Sequence, residues 1–435
     1  MIVKNLLDDE STIGLSVDLA LAIILLAIIV TLVSEFVPRT LHYCNYSWLM
    51  ASSDEITTFN PLGNYEWPVR PAEESLRRMA GDLWRTFRRK NEPDPFISDE
   101  SLRWTNRSRL NEIAAPPACG PVLSELQATF AEWIADQEPS HWLQLVVLPP
   151  CDQNDIVRSW ALVNDHVILE PPARDSILDP ESEFELPEIR GDGVIVVPRL
   201  EHWFLRHHNG LREVRTLLHQ LSRLQRHCVI GCNSWAWGFL SKVANADSVF
   251  PCGLTFEAFH AARLRRWFSE LASEGEDRGR TFRSSIDGKD VFAASDQKET
   301  PSDFFFQLAA RSFGIPWVAW HLWRRSIRLG PDQDQGAEPM FADEETLWIA
   351  ALEDFKMPKQ DVDSALLLLQ ALLIHDTLTA EQIDLVVPLG GVGVLASLVR
   401  AGFVLRQDQQ YACAPAAYHV IRTQLDAAGF PMDQL

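Results

Sequence analysis

The chain is short of positive charge. Across 435 residues, 39 Lys and Arg face 60 Asp and Glu, a formal net charge of −21. That balance argues against a general nucleic-acid binder, because phosphate backbones need a basic surface. Cysteine is sparse too: seven, at positions 44, 119, 151, 228, 232, 252 and 413, with no C-x-x-C pair. An odd, scattered set reads as thiols in a reducing compartment rather than as a disulfide framework. Cys228 and Cys232 flank a β-like run, and His207-His208 lies apart from them, so neither pair makes a ligand set at zinc spacing. No G-x-S-x-G elbow occurs, which removes the usual serine-hydrolase signature. The residues that are present, 46% hydrophobic and 23% charged, suit a folded chain with room for two or three domains.

One apolar run stands out, "GLSVDLALAIILLAIIVTLVSEFVP", residues 14–38. From Leu19 to Val33 only Thr31 is polar. With its shoulders, the run can cross a hydrocarbon core of about 30 Å at about 1.5 Å per residue. Asp18 and Glu35 stand at its ends, and Pro38 stops the helix. The start, "MIVKNLLDDE", lacks the basic n-region and small-residue cleavage site of a signal peptide. The following segment carries Arg39, Arg70, Arg77, Arg78, Arg85, Arg88, Arg89 and Lys90. The positive-inside rule then predicts a single-pass protein of the cell (inner) membrane, N-terminus outside and main domain cytoplasmic. Membrane lipid is the partner expected of residues 14–38.

The organisation reads as follows. Residues 1–38 form the anchor. Residues 39–119 form a juxtamembrane region in which "AEESLRRMAGDLWRTFRRK" (72–90) has a helical pattern and a basic face, suited either to anionic lipid or to plain solvation. Residues 120–271 alternate helical patterns with the strands Leu143–Leu148, "HVILEPP", Val194–Val197 and Cys228–Cys232, which predicts parallel β-α units. Within them, 175–192 is an acidic insert expected to be exposed, and 252–271 reads as one helix. Residues 272–290 look loop-like, and 302–327 reads as two helices broken at Gly314-Ile315-Pro316. Trp317, Trp320 and Trp323 recur at i, i+3, i+6, the face of a packed helix. The block 342–435 gives three helices, the second opened by a Thr379/Gln382 capping box, and then a two-stranded wing. "LGGVG" (389–393) reads as a turn. The third helix, "GVGVLASLVRAG", has one basic residue, Arg400, so protein contact suits it better than DNA.

This succession resembles the AAA+ ATPases of the origin-recognition and STAND type. The resemblance covers about 120–435 and implies an α/β fold: a parallel-sheet, P-loop-like core (120–271), a helical lid (272–335) and a C-terminal winged-helix domain (342–435). "LQLVVLPPCDQNDIVRSW" (143–160) stands where the Walker A loop belongs, and "VIVVPRLEHWFL" where Walker B belongs. "VIGCNSWAW" is similar to a sensor 1 strand tipped by Asn233 or Ser234, and "ARSFGIPWVAWHLW" to the turn before the sensor 2 position.

The departures bear on function. A Walker A loop is G-x-x-x-x-G-K-[ST], whose amides and lysine hold phosphate. Here Pro149 and Pro150 have no N–H, Cys151 follows, and Asp152 and Asp155 repel phosphate. Pro198 and Arg199 stand where a magnesium-binding Asp is implied, and Trp317 stands where an Arg is often found. The vestigial nucleotide positions are therefore Pro150, Cys151, Asp152, Asp155, Pro198, Arg199, Asn233 and Trp317. The expected function is that of a membrane-tethered pseudo-ATPase, a scaffold or regulator acting through an unidentified protein partner, with no catalytic residue, metal or nucleic acid. Asp155 is expected to be a helix N-cap, and Asn233 to serve packing. The alternative is a divergent STAND-like switch that still takes ATP or ADP. Homo-oligomerisation stays open.

Overall fold

The computed structural model describes residues 57–68, 96–98, 102–104, 110–111, 119–179, 184–186, 193–250, 252–273, 280–293, 303–330, 345–387 and 392–435. They belong to one compact unit, Glu55–Leu435. The expected membrane helix at 14–38, the basic helix at 72–90 and most of "LGGVG" lie outside them. Among the described residues no helix is long and apolar enough to cross a membrane.

The fold is mixed α/β, built on a six-stranded sheet. Its strands are β1 (Asn60–Pro61), β3 (Leu143–Leu148), β4 (Val167–Ile168), β5 (Ile195–Val197), β6 (Cys228–Asn233) and β7 (Gly253–Thr255), in the order β1-β7-β3-β6-β5-β4. All pairings are parallel except that of the edge strand β1 with β7. The central strands are apolar runs because both sheet faces are covered; Leu145, Val146 and Val147 have no exposed surface. The covering helices are α1 (Gly120–Ala135), α2 (Ile156–Val163), the short α3 (Arg174–Leu178), α4 (Arg212–Leu221) and α5 (Ser234–Val243). Gly231 lets β6 pass under the end of β5, since a Cβ there would sit 2.2 Å from the Pro198 carbonyl oxygen. That contact sets Pro198 and Arg199 over the sheet's carboxyl edge.

A four-stranded sheet follows, in the order β2 (Arg103–Trp104), β9 (Ile327–Leu329), β10 (Glu345–Ile349), β8 (Arg280–Ser284). It packs beside α6 (Ala261–Ser273), α7 (Phe304–Ser312) and α8 (Pro316–Ser326). Left-handed Phe313 and Gly314 end α7, and Pro316 opens α8, as the sequence break predicts. Trp317, Trp320 and Trp323 are all buried.

Three expectations need correction. Residues 252–271 are not one helix: Gly253–Thr255 is β7, beside β3, and the helix starts at Ala261. Residues 272–290 are not all loop: Arg280–Ser284 is a strand parallel to β10. The stretch 175–192 is not simply exposed, for Ile177 in α3 is buried and Phe184 meets Trp203 edge-on at 5.1 Å. The two missed strands are three and five residues long, too short to carry a clear apolar period.

The C-terminal elements are α9 (Val362–His375), β11 (Thr377–Thr379), α10 (Ala380–Val386), α11 (Val392–Arg400), the hairpin β12 (Val404–Gln407) and β13 (Gln410–Cys413), and α12 (Tyr418–Ala427). The Thr379/Gln382 capping box is present, with bonds of 3.3 and 3.1 Å. The end of α9 reaches the carboxyl edge of the large sheet, where Asn233 Nδ2 donates to the Ile374 carbonyl at 3.4 Å. Asp433 is held there as well, accepting from Ser234 Oγ at 2.8 Å and Arg422 Nε at 3.1 Å.

Candidate functional site

In an open α/β sheet, ligands bind at the carboxyl ends of the strands. Here that crevice is a cavity of about 20 Å³, lined by Pro150, Cys151, Asp152, Asp155, Pro198, Arg199, Glu201, Cys232, Asn233 and Asp376, among others. Seven of the eight sequence-chosen positions meet in it. The eighth, Trp317, is buried beside it and donates Nε1–H to the Pro150 carbonyl at 2.8 Å. A cavity that size holds a water or two, whereas nucleotide-sized ligands need roughly 300 Å³ or more.

What fills the crevice is the protein's own ion network. Asp152 folds back on the loop, its Oδ1 accepting from Asn154 N at 2.8 Å and its Oδ2 from Ile156 N at 2.9 Å. These are amides at the start of α2, the group that binds an anion in a phosphate loop. The carboxylate thus takes the anion's place. The expected Asp155 cap is corrected: Asp155 makes no side-chain cap bond. It sits at φ 48°, and its carboxylate meets Arg158 Nε at 2.9 Å and Arg199 Nε at 3.2 Å. The cap comes from three residues earlier because the left-handed turn at 155 aims that side chain sideways.

Arg199 is the hub. Its guanidinium donates to Asp376 Oδ2 at 2.5 Å and to the Asp152 carbonyl at 2.5 Å. Burial works against its charge, but Asp376, Asp155 and Asp152 outweigh it and push the pKa up. For Asp376 burial raises the pKa, yet Arg199 and His202 outweigh that and hold it below the ordinary value. Asp152 goes the other way: burial raises it, and Arg199 and the two amides only partly compensate. Glu201 is pushed up to about 7 by burial, against the pull of Arg199. It still accepts Asn233 N–H at 3.1 Å. Asn233 in turn caps α5, accepting from Ala236 N at 2.8 Å. His375 accepts the Arg206 N–H at 3.2 Å, and burial pushes its pKa well down, so it is neutral.

Backbone strain gathers at the same place. Cys151 (φ 65°), Asp155 (φ 48°) and Asp376 (φ 62°) are all left-handed non-glycine residues, each a sparsely populated conformation that surrounding contacts must hold. Sequence reasoning missed Glu201, His375 and Asp376. The signal was a cluster of ionisable residues at the end of an apolar run, "VVPRLEH" and "LLIHD". Among the described residues, the site holds an internal salt network centred on Arg199.

No protein-family profile matches this chain, and no curated protein matches it. Ten chains of solved structures are similar to it, among them two at low identity. Cdc6p from Pyrobaculum aerophilum is 12% identical, with 79% of this chain and 98% of that one covered and a TM-score of 0.28. The Aeropyrum pernix Orc1 protein in complex with DNA is 15% identical, with 77% and 96% covered and a TM-score of 0.30.

Two outcomes follow from the site. Asp152→Ala removes the helix cap and should lower stability by about 1–2 kcal/mol, while Asp155→Asn, which tolerates the left-handed turn, should cost under about 1 kcal/mol. Urea-unfolding midpoints of the full chain rank the two. The second outcome concerns Glu201, whose folded pKa of about 7 exceeds its unfolded value. Its ionisation therefore costs nothing below the unfolded pKa, and the cost is complete above pH 7. Glu201→Gln should match wild type near pH 4 and exceed it by about 3 kcal/mol at most at pH 8. Equal midpoints at pH 8 would show that Glu201 is not held in a poorly solvated place.

Proposed function

We propose that this chain is a membrane-tethered pseudo-ATPase, a scaffold or regulator that works through protein contacts without hydrolysis. The observation that carries the reading is Asp152. Its carboxylate occupies the loop amides that would hold a phosphate, in a crevice of about 20 Å³. Arg199 supplies a cation where a magnesium-binding carboxylate is implied by the AAA+ resemblance, and Trp317 seals the Pro150 carbonyl. A nucleotide would have to displace three carboxylates, Asp152 bonded to the loop amides and Asp155 and Asp376 paired with Arg199, each of which repels it. The tether rests on the apolar run 14–38.

We read the C-terminal block as a winged helix turned to protein contact. In α11, Gly393, Ala396 and Arg400 are exposed, while Leu395 and Leu398 are buried. A single cation on that surface suits a duplex backbone poorly.

Full-length protein in detergent, incubated with Mg-ATP or Mg-ADP, should release no phosphate above a buffer control and should show no melting shift. A ligand at about 100 times its Kd adds about 2.7 kcal/mol, so binding would register. A shift without turnover would favour the nucleotide-binding switch instead. Turnover that disappears in Asn233→Ala would sink the pseudo-ATPase reading.

A further inference from the structure

The four-stranded sheet has an outer face that the crevice and its network do not use. Strand register sets Trp104 opposite Arg328, Arg328 opposite Trp348, and Trp348 opposite Arg283. Register partners share a face, so these four form one row across the sheet. The other face carries Ile327, Leu347, Ile349 and Phe282, all buried in the core. On the outer side, Phe96 stacks on Trp348 with centroids 5.8 Å apart and planes at 26°. The Arg328 guanidinium lies 3.5 Å from the Trp104 ring centroid.

Arg328 and Trp348 are buried, 4% exposed each, but the layer above them is not. Trp104 is 64% exposed, Phe96 48%, and Ile286, whose carbonyl accepts the Phe96 N–H at 3.1 Å, 55%. The two aromatic side chains have defined seats. Arg328 pins Trp104 by a cation–π contact, and Phe96 lies against the Gly288 turn, where a Cβ would come within 3.0 Å of its ring. Trp104 thus lies exposed over the Arg328 guanidinium and Phe96 exposed over Trp348, with Ile286 exposed beside Phe96, on a chain whose net charge is −21.

We propose that this face rests on the surface of an anionic phospholipid bilayer. Amphipathic rings backed by cations suit the headgroup layer, where Trp and Arg find both apolar and polar partners. The sequence before Phe96 points to the same occupant. It contains the apolar run 14–38 and the stretch 72–90, whose Arg77, Arg78, Arg85, Arg88, Arg89 and Lys90 end just upstream of Phe96. The inference rests on the tether reading, which brings lipid within reach.

The test uses the full chain reconstituted into phosphatidylcholine vesicles with a minor fraction of phosphatidylglycerol. A benzoylphenylalanine photocrosslinker replaces Phe96, Trp104 or Ile286 in turn, and Leu405, 42% exposed in the C-terminal hairpin, serves as control. Each variant is first shown to melt like wild type. Lipid adducts should form several-fold more at 96, 104 and 286 than at 405, and should fall when phosphatidylglycerol is left out. Adducts no more frequent than at 405, in protein that survives an alkaline carbonate wash on the vesicles, would overturn the inference and leave the tether standing. Protein stripped by the wash would fail the tether reading; the face would fail with it only if adducts before the wash were also absent. Protein–protein crosslinks in place of lipid adducts would reassign the face to a protein partner.

Discussion

A single guanidinium holds the crevice together. Arg199 follows β5, and its partners are Asp152 and Asp155 after β3 and Asp376 after α9, the last 177 residues away in sequence. Burying one charge costs several kcal/mol unless its partners and hydrogen bonds are all in place. The planar fork of arginine can serve several acceptors at fixed angles, which a lysine could not do. The sheet's carboxyl edge, the loop 149–155 and the end of α9 are therefore mutually dependent. Asp376 keeps its left-handed backbone because Arg199 holds its carboxylate. The loop in turn stays folded on itself because Asp152 serves both α2 and, through its carbonyl, Arg199.

Much of the fold was legible in the residues, and the pattern of success is physical. The strands β3, β5 and β6 are covered on both faces, so they appear as unbroken apolar runs. The break at Gly314-Ile315-Pro316 and the capping box at Thr379 are local chemistry, readable within four residues. The strand β8, "RTFRS", alternates toward solvent and looks like a loop, and β7 is only three residues long. Most of the candidate site was found by position, but its energetics were not. Which of Asp152 and Asp155 caps α2 depends on a left-handed turn that sequence does not announce. The pairing of Arg199 with Asp376 depends on how the chain folds back on itself.

These features give the crevice a consistent chemical character. It carries an internal anion at the helix start, an internal cation facing it, and an indole on the loop carbonyl. That arrangement spends the electrostatic capacity of the site on tying the C-terminal elements to the sheet. A scaffold gains rigidity from such a tie, and a hydrolase would lose its substrate pocket to it.

The central claim is that Arg199 and Asp376 act as one unit. A double-mutant cycle on the full chain with Arg199→Met, Asp376→Asn and the pair, followed by urea unfolding at neutral pH, measures it directly. The account predicts that either single change costs about 3 kcal/mol or more, because each leaves a buried charge uncompensated, and that the double mutant loses little beyond the worse single, a coupling of about 3 kcal/mol. Simple additivity of the two losses would contradict it.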